Sequence, residues 1–125
     1  MPQTIEAIVE KLAHFDGVKG CALIEVDTGM AWHYAGAIPG IEKIGEVAIE
    51  FWRVHTRLSA HFDQFGAFNS SAHSFANQVI ALFPCSQEPA LVLVCVADKS
   101  GVNWTQWGQG VGELKLALAT KSNLN

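Results

Sequence analysis

The 125-residue sequence predicts a single α+β domain with the element order α-β-β-α-β-β-β-α. Three observations predict it. Two long stretches and one short one carry apolar residues at helical spacing. Between them lie apolar runs of strand length, bounded by glycine, aspartate or proline. The connections between successive strands are short, which suits an antiparallel meander rather than parallel crossovers.

Thr4 can cap a first helix, in which Ile5, Ile8, Val9, Leu12 and Phe15 recur at helical spacing. Glu6 sits in the first turn, where the helix dipole favours it. Asp16-Gly17 ends the helix, with Gly17 supplying a left-handed residue. Gly20–Val26 reads as a strand, and Met30–Ala35 as its return after Asp27-Thr28-Gly29, a connection that suits a hairpin with a glycine bulge. Gly36–Gly40 is a loop, and Ile41–Phe62 is helical again. Asp63–Asn69 reads as a loop around Gly66, and Ala67–Ser74 as a polar strand at a sheet edge. Gln78–Phe83 is a stronger strand, ended by Pro84. Ser86–Pro89 is a turn, and Ala90–Ala97 is the clearest strand in the chain. Asp98–Gly101 leads to a last helix running to about Lys121. The central strands are apolar on both faces, so helices should cover both.

Composition narrows the function. Half the residues are hydrophobic and only 16% are charged, so the chain can bury a core and has apolar surface to spare. The formal net charge is −4, and the cations are scattered, with no cluster longer than Arg53–Arg57. That argues against nucleic acid, which needs a basic face, and against an anionic membrane surface. The strongly apolar run Ala90–Ala97 is too short to span a bilayer as a helix. Met1-Pro2-Gln3-Thr4 leads straight into the first amphipathic pattern, with no signal-peptide pattern. Cys21, Cys85 and Cys95 cannot all pair within one chain and form no C-x-x-C, which suits buried free thiols in a reducing cytoplasm.

The middle helix carries more apolar surface than one contact requires. On a helical wheel, Ile44, Val47, Ala48, Phe51, His55, Leu58 and Phe62 form a stripe expected to face the sheet. Ile41, Gly45, Ile49 and Trp52 extend it to about half the circumference, against the ~100° typical of a surface helix. That flank, with Thr56 a turn further on, is the expected self-association surface. Ser70, Ser71 and His73 join it from the polar strand, whose free edge could pair with another chain. Trp104 and Trp107 are candidates for a second partner surface, since tryptophan is enriched at binding hot spots.

Catalytic and metal chemistry find little support. The five histidines show no H-x-x-x-H or H-E-x-x-H spacing, so no metal is expected. Gly108-Gln109-Gly110-Val111-Gly112 lacks the Gly-Lys-Ser/Thr ending of a phosphate loop, and close packing of the last helix explains it better. Ser70, Ser71, His73 and Asp63 lack a G-x-S-x-G elbow. Glu42, Glu46 and Glu50 align as a solvated helix face. Neither a catalytic residue nor a cofactor is assigned.

The stretch Phe15-Asp16-Gly17-Val18-Lys19-Gly20, followed by Cys21 to Gly29, resembles the opening motif of the roadblock/LC7 family. Leu91-Val92-Leu93-Val94, then Asn103 and a helix, resembles its closing section. Two departures are the Thr28 inserted in the first turn and the polar third strand with Ser70, Ser71 and His73. The resemblance implies a three-layer α/β/α, profilin/longin-like fold. In it a five-stranded antiparallel sheet has the middle helix on one face and the terminal helices on the other. It also implies homodimers joined by the middle helix and third strand, and a role as regulator or scaffold for a small Ras-like GTPase or a signalling complex. The competing expectation is a small-molecule sensor of PAS/GAF-like layout, with a pocket lined by Trp32, Tyr34 or Trp104.

Overall fold

The computed structural model describes residues 3–124; Met1 and Pro2, at the head of the stretch read for a signal peptide, lie outside the described residues. The elements are α1 (Ile5–Ala13), β1 (Val18–Glu25), β2 (Ala31–Gly36), α2 (Ile41–Leu58), a 3-10 segment (Ser59–Phe65), β3 (Ser71–Ser74), β4 (Gln78–Gln87), β5 (Ala90–Asp98) and α3 (Trp104–Leu124). The five strands form one antiparallel sheet in the order β2-β1-β5-β4-β3.

This order corrects the simple meander. β1–β2 is one hairpin and β3-β4-β5 a three-strand meander, and the two units join through β1 and β5. The chain leaves one edge at β2 and re-enters at the opposite edge as β3. α2 begins that crossing over one face of the sheet, packing on β2, β1 and β5, and the segment after it completes the path to β3.

Side chains alternate along the central strands, as the two-residue strand period requires. Cys21 and Leu23 of β1, with Leu91, Leu93, Cys95 and Ala97 of β5, point towards α1 and α3. Ala22 and Ile24, with Val92, Val94 and Val96, point towards α2. All of these residues are buried. The three layers thus follow from two continuously apolar strands, each needing cover on both faces.

Local chemistry fixes the remaining joints. The Thr4 side chain accepts from Ala7 N at 3.0 Å and caps α1. At the other end of α1, Leu12 O accepts from the Trp107 indole N–H at 3.1 Å, and Glu10 O contacts the His14 ring at 2.8 Å. Carbonyls left open at a helix end are therefore met by side chains. Gly29, at φ 75°, closes the β1–β2 hairpin by donating to Glu25 O. Arg53 of α2 donates to Val26 O at 2.7 Å and pairs with Glu50, which ties α2 to the same hairpin.

Pro84 does not end β4, which runs on to Gln87 with an irregularity between Pro84 and Ser86. β3 pairs with β4 only as far as Leu82. At Pro84 the strand has no neighbour on that side, so the missing N–H costs no ladder bond.

Candidate interaction surface

The placement of α2 revises the helical wheel. Ile41, Gly45, Ala48 and Ile49 are the buried residues of this helix, and Ile49 is fully enclosed. A Cβ added at Gly45 would lie 2.8 Å from Ala22 Cβ and 2.9 Å from Ile24 Cδ1. Gly45 is therefore a point of close approach between the helix and β1. The buried contact line combines the small Gly45, seated on Ala22, and Ala48 with the larger Ile41 and Ile49. Gly45 and Ile49 are thus core residues of this chain rather than partner contacts. Trp52 is half-buried, and Thr56 is exposed, with its hydroxyl donating to Trp52 O.

The stripe expected to face the sheet does so only in part: Ala48 is buried, and Ile44 and Phe51 pack against the sheet-facing core, while Val47, Leu58 and Phe62 turn outward. Val47 is 59% exposed, Val54 42% and Leu58 45%, while Ile44 and Phe51 are half-buried. These five residues recur at i, i+3, i+7, i+10 and i+14, the a/d spacing of a helix-pairing seam. On the wheel this seam is centred about 120° from the sheet-facing residues. Val54 belongs to it, although the wheel drawn from the bulkier residues leaves it out.

β3 lies beside the seam. It is the last strand of the sheet, with only β4 as neighbour. His73 stacks on Phe51 with ring centroids 3.9 Å apart, and lies 6.2 Å from the His55 ring. His55 stacks in turn on Phe68 at 4.8 Å. Burial, and to a lesser extent the neighbouring His55, lowers the pKa of His73. The Ser71 hydroxyl and His73 Nε2 are buried atoms without a hydrogen-bond partner, and Ser70 is exposed. Orphaned polar atoms are uncommon, and here both stand on the edge strand. The structure thus brings Ser71 and His73 to the side of α2 that carries Phe51.

The two tryptophans part company. Trp107 is 1% exposed, packs against Phe83 and bonds to Leu12 O, so it anchors α3 to α1 and offers no partner surface. Trp104 is 40% exposed and lines an open groove of about 410 Å³ with Lys99, Val79 and Phe83. Neither Trp32 nor Tyr34 lines that groove. The glycine run divides too. A Cβ at Gly110 would lie 2.5 Å from Leu12 Cδ2, the expected close packing, while Gly108 and Gly112 face open space.

All three cysteines are free and buried. Cys21 and Cys95 face each other across β1 and β5. Their mutual hydrogen bond, then burial, raises the Cys21 pKa well above that of an ordinary thiol, while burial pushes Cys85 up to about 11. Among the described residues, no group of three or more His, Cys, Asp or Glu side chains could hold a metal ion. No helix among them is long and apolar enough to cross a membrane.

Sheet order, helix placement and element order together define a roadblock/LC7-type fold. Solved structures share it. A roadblock/LC7 domain from Streptomyces avermitilis superposes with a TM-score of 0.77 at 11% identity, covering 95% of this chain and 98% of that one. Myxococcus xanthus MglB gives 0.72 at 16% identity, covering 94% and 95%. The gliding protein MglB of Thermus thermophilus gives 0.73 at 13% identity, covering 97% and 90%. No family model and no curated protein matches the sequence.

Proposed function

We propose that this chain is a non-catalytic, homodimeric interaction module that regulates or scaffolds a small Ras-like GTPase or a signalling complex. The observation that carries the proposal is the a/d-spaced strip Ile44–Val47–Phe51–Val54–Leu58 of α2, in which Val47, Val54 and Leu58 are exposed and Ile44 and Phe51 are half-buried at its border with the sheet. Exposed aliphatic side chains in register, as at Val47, Val54 and Leu58, are costly to leave in water. A second α2 packed on the seam covers them, and the adjacent edge of β3 pairs with its copy. A β3–β3 junction also surrounds Ser71 and His73, whose polar atoms lack partners in the single chain. A solved structure described as MglB with tetrameric arrangement has the same fold, with a TM-score of 0.73 at 14% identity, so self-assembly is compatible with this architecture.

The GTPase half of the proposal comes from the resemblance in Phe15–Gly29 and the closing section. A cytoplasmic setting belongs to the same reading and is supported by three buried free thiols. Light scattering at micromolar concentration, on the wild type and on Val54→Glu, tests the dimer. A wild-type chain that stays monomeric contradicts it. Affinity capture with the intact dimer tests the GTPase half, and repeated failure to recover a nucleotide-binding protein removes that half alone.

A further inference from the structure

At the C-terminal end of α2 the chain encloses a second feature, one the dimer reading does not use. After the 3-10 segment and Gly66, Phe68 returns to Trp52 and His55 of the helix, and these elements line a cavity of about 660 Å³. Its lining includes Trp52 with Phe68, edge to face at 5.2 Å between centroids. It also includes Phe62 with Phe65, stacked at 6.0 Å. Asp63 lies between the two phenylalanines in sequence and lines the same cavity, with Asn69 at its rim. No lysine or arginine lines it; His55, stacked on Phe68, is the one lining group that can carry a positive charge, and among the described residues the Asp63 carboxylate has no ion pair.

Four carbocyclic or indole rings lining one cavity favour an occupant of a particular kind. Ring faces carry negative charge density and attract cations, most strongly when the cation is bulky and weakly hydrated. A carboxylate among them adds a full negative charge and rejects anions. The volume lies within the ~300–1,000 Å³ range of small-ligand sites. We propose that Trp52, Phe62, Phe65 and Phe68, with Asp63, form an aromatic cage for an organic cation of the quaternary ammonium class. This inference does not depend on the dimer, because all five residues belong to one chain. Phe65 is 73% exposed and Phe62 51%, so the cage opens to solvent and admits a ligand without a large rearrangement.

The test is calorimetric titration of the full chain with choline and with tetramethylammonium. The neutral isostere 3,3-dimethylbutanol is the control. Choline binding is expected near ~1 mM, with the neutral isostere about tenfold weaker. Asp63→Asn is expected to weaken choline several-fold and Phe65→Ala about tenfold. Both substitutions fall at exposed positions outside the core, and circular dichroism confirms that each variant is folded. Equal binding of choline and its isostere overturns the proposal, as do variants that bind like the wild type. Absence of binding to any cation overturns it too, including the case where Phe65→Ala weakens self-association, which would assign these rings to the second copy. Sedimentation of the same samples reads the dimer separately, so loss of one reading leaves the other standing.

Discussion

Ile49 and Val54 lie five residues apart on α2 and should respond in opposite ways to truncation. Ile49 is fully buried between α2 and the sheet, in the cluster with Ala22, Ile24, Val94 and Val96. Ile49→Ala removes three carbon atoms, worth about 2.4 kcal/mol at ~0.8 kcal/mol per buried methylene. The cavity left behind raises the cost, since a sheet of five paired strands relaxes little; about 3–4 kcal/mol is expected. For a chain of this size that lowers Tm by roughly 10–15 °C. Val54 is already 42% exposed, so Val54→Ala should cost the single chain under about 0.5 kcal/mol. Its effect should appear in association, and association stabilises in proportion to the logarithm of protein concentration. Urea unfolding at several protein concentrations separates the two. The Ile49→Ala deficit stays constant across the series, whereas the Val54→Ala deficit grows as the protein is concentrated. A near-neutral Ile49→Ala with a costly Val54→Ala at high dilution would refute the placement of α2.

Other parts of the structure give further expectations. Trp107→Phe keeps the ring packing on Phe83 but leaves Leu12 O without its indole donor, so a loss of about 1–3 kcal/mol is expected by urea unfolding. Because burial holds the His73 pKa below its unfolded value, the neutral ring is favoured in the folded chain. Its contribution is complete above the unfolded pKa of ~6.5 and fades as pH falls towards the lower folded value. Unfolding midpoints between neutral and mildly acidic pH should therefore drop less in His73→Phe than in the wild type. The cysteines should resist thiol reagents in the native state. With Cys85 raised to about 11 and Cys21 well above an ordinary thiol, labelling with a chromogenic disulfide should wait for unfolding. Fast native labelling of any of the three would contradict the burial described.

The sheet core was legible because β1 and β5 are continuously apolar between turn residues. Cys21 to Ile24 and Leu91 to Ala97 announce two-sided burial by composition alone. The strand order was not legible. Pairing of β1 with β5 joins residues some seventy positions apart, and no local pattern encodes that contact. Pro84 misled for a related reason, since its tolerance depends on where β3 stops. On α2 the two apolar stripes were both visible, but their assignment turned on Gly45. A glycine in mid-helix reads as a weakness until Ala22 is found beneath it. Val54 escaped notice because it stands between Arg53 and His55 and completes the seam only when the a/d spacing is counted. Trp107 and Trp104 are three residues apart in one helix, and only the fold shows that one reaches Leu12 O while the other stays in water. The cage residues Phe62, Phe65 and Phe68 lay in a stretch that reads as the end of a helix and a loop, where a 3-10 segment with a kink at Phe62 and the turn at Gly66 set the ring positions, which periodicity does not reveal.

The central claim is that the outward seam of α2 joins two copies of this chain. Sedimentation equilibrium of the wild type beside Val54→Glu measures it most directly. The wild type is expected at about 27 kDa, twice the 13.5 kDa chain, and Val54→Glu as a folded monomer at 13.5 kDa. A wild type that remains at 13.5 kDa through the micromolar range, or a Val54→Glu variant that associates as well as the wild type, would contradict it.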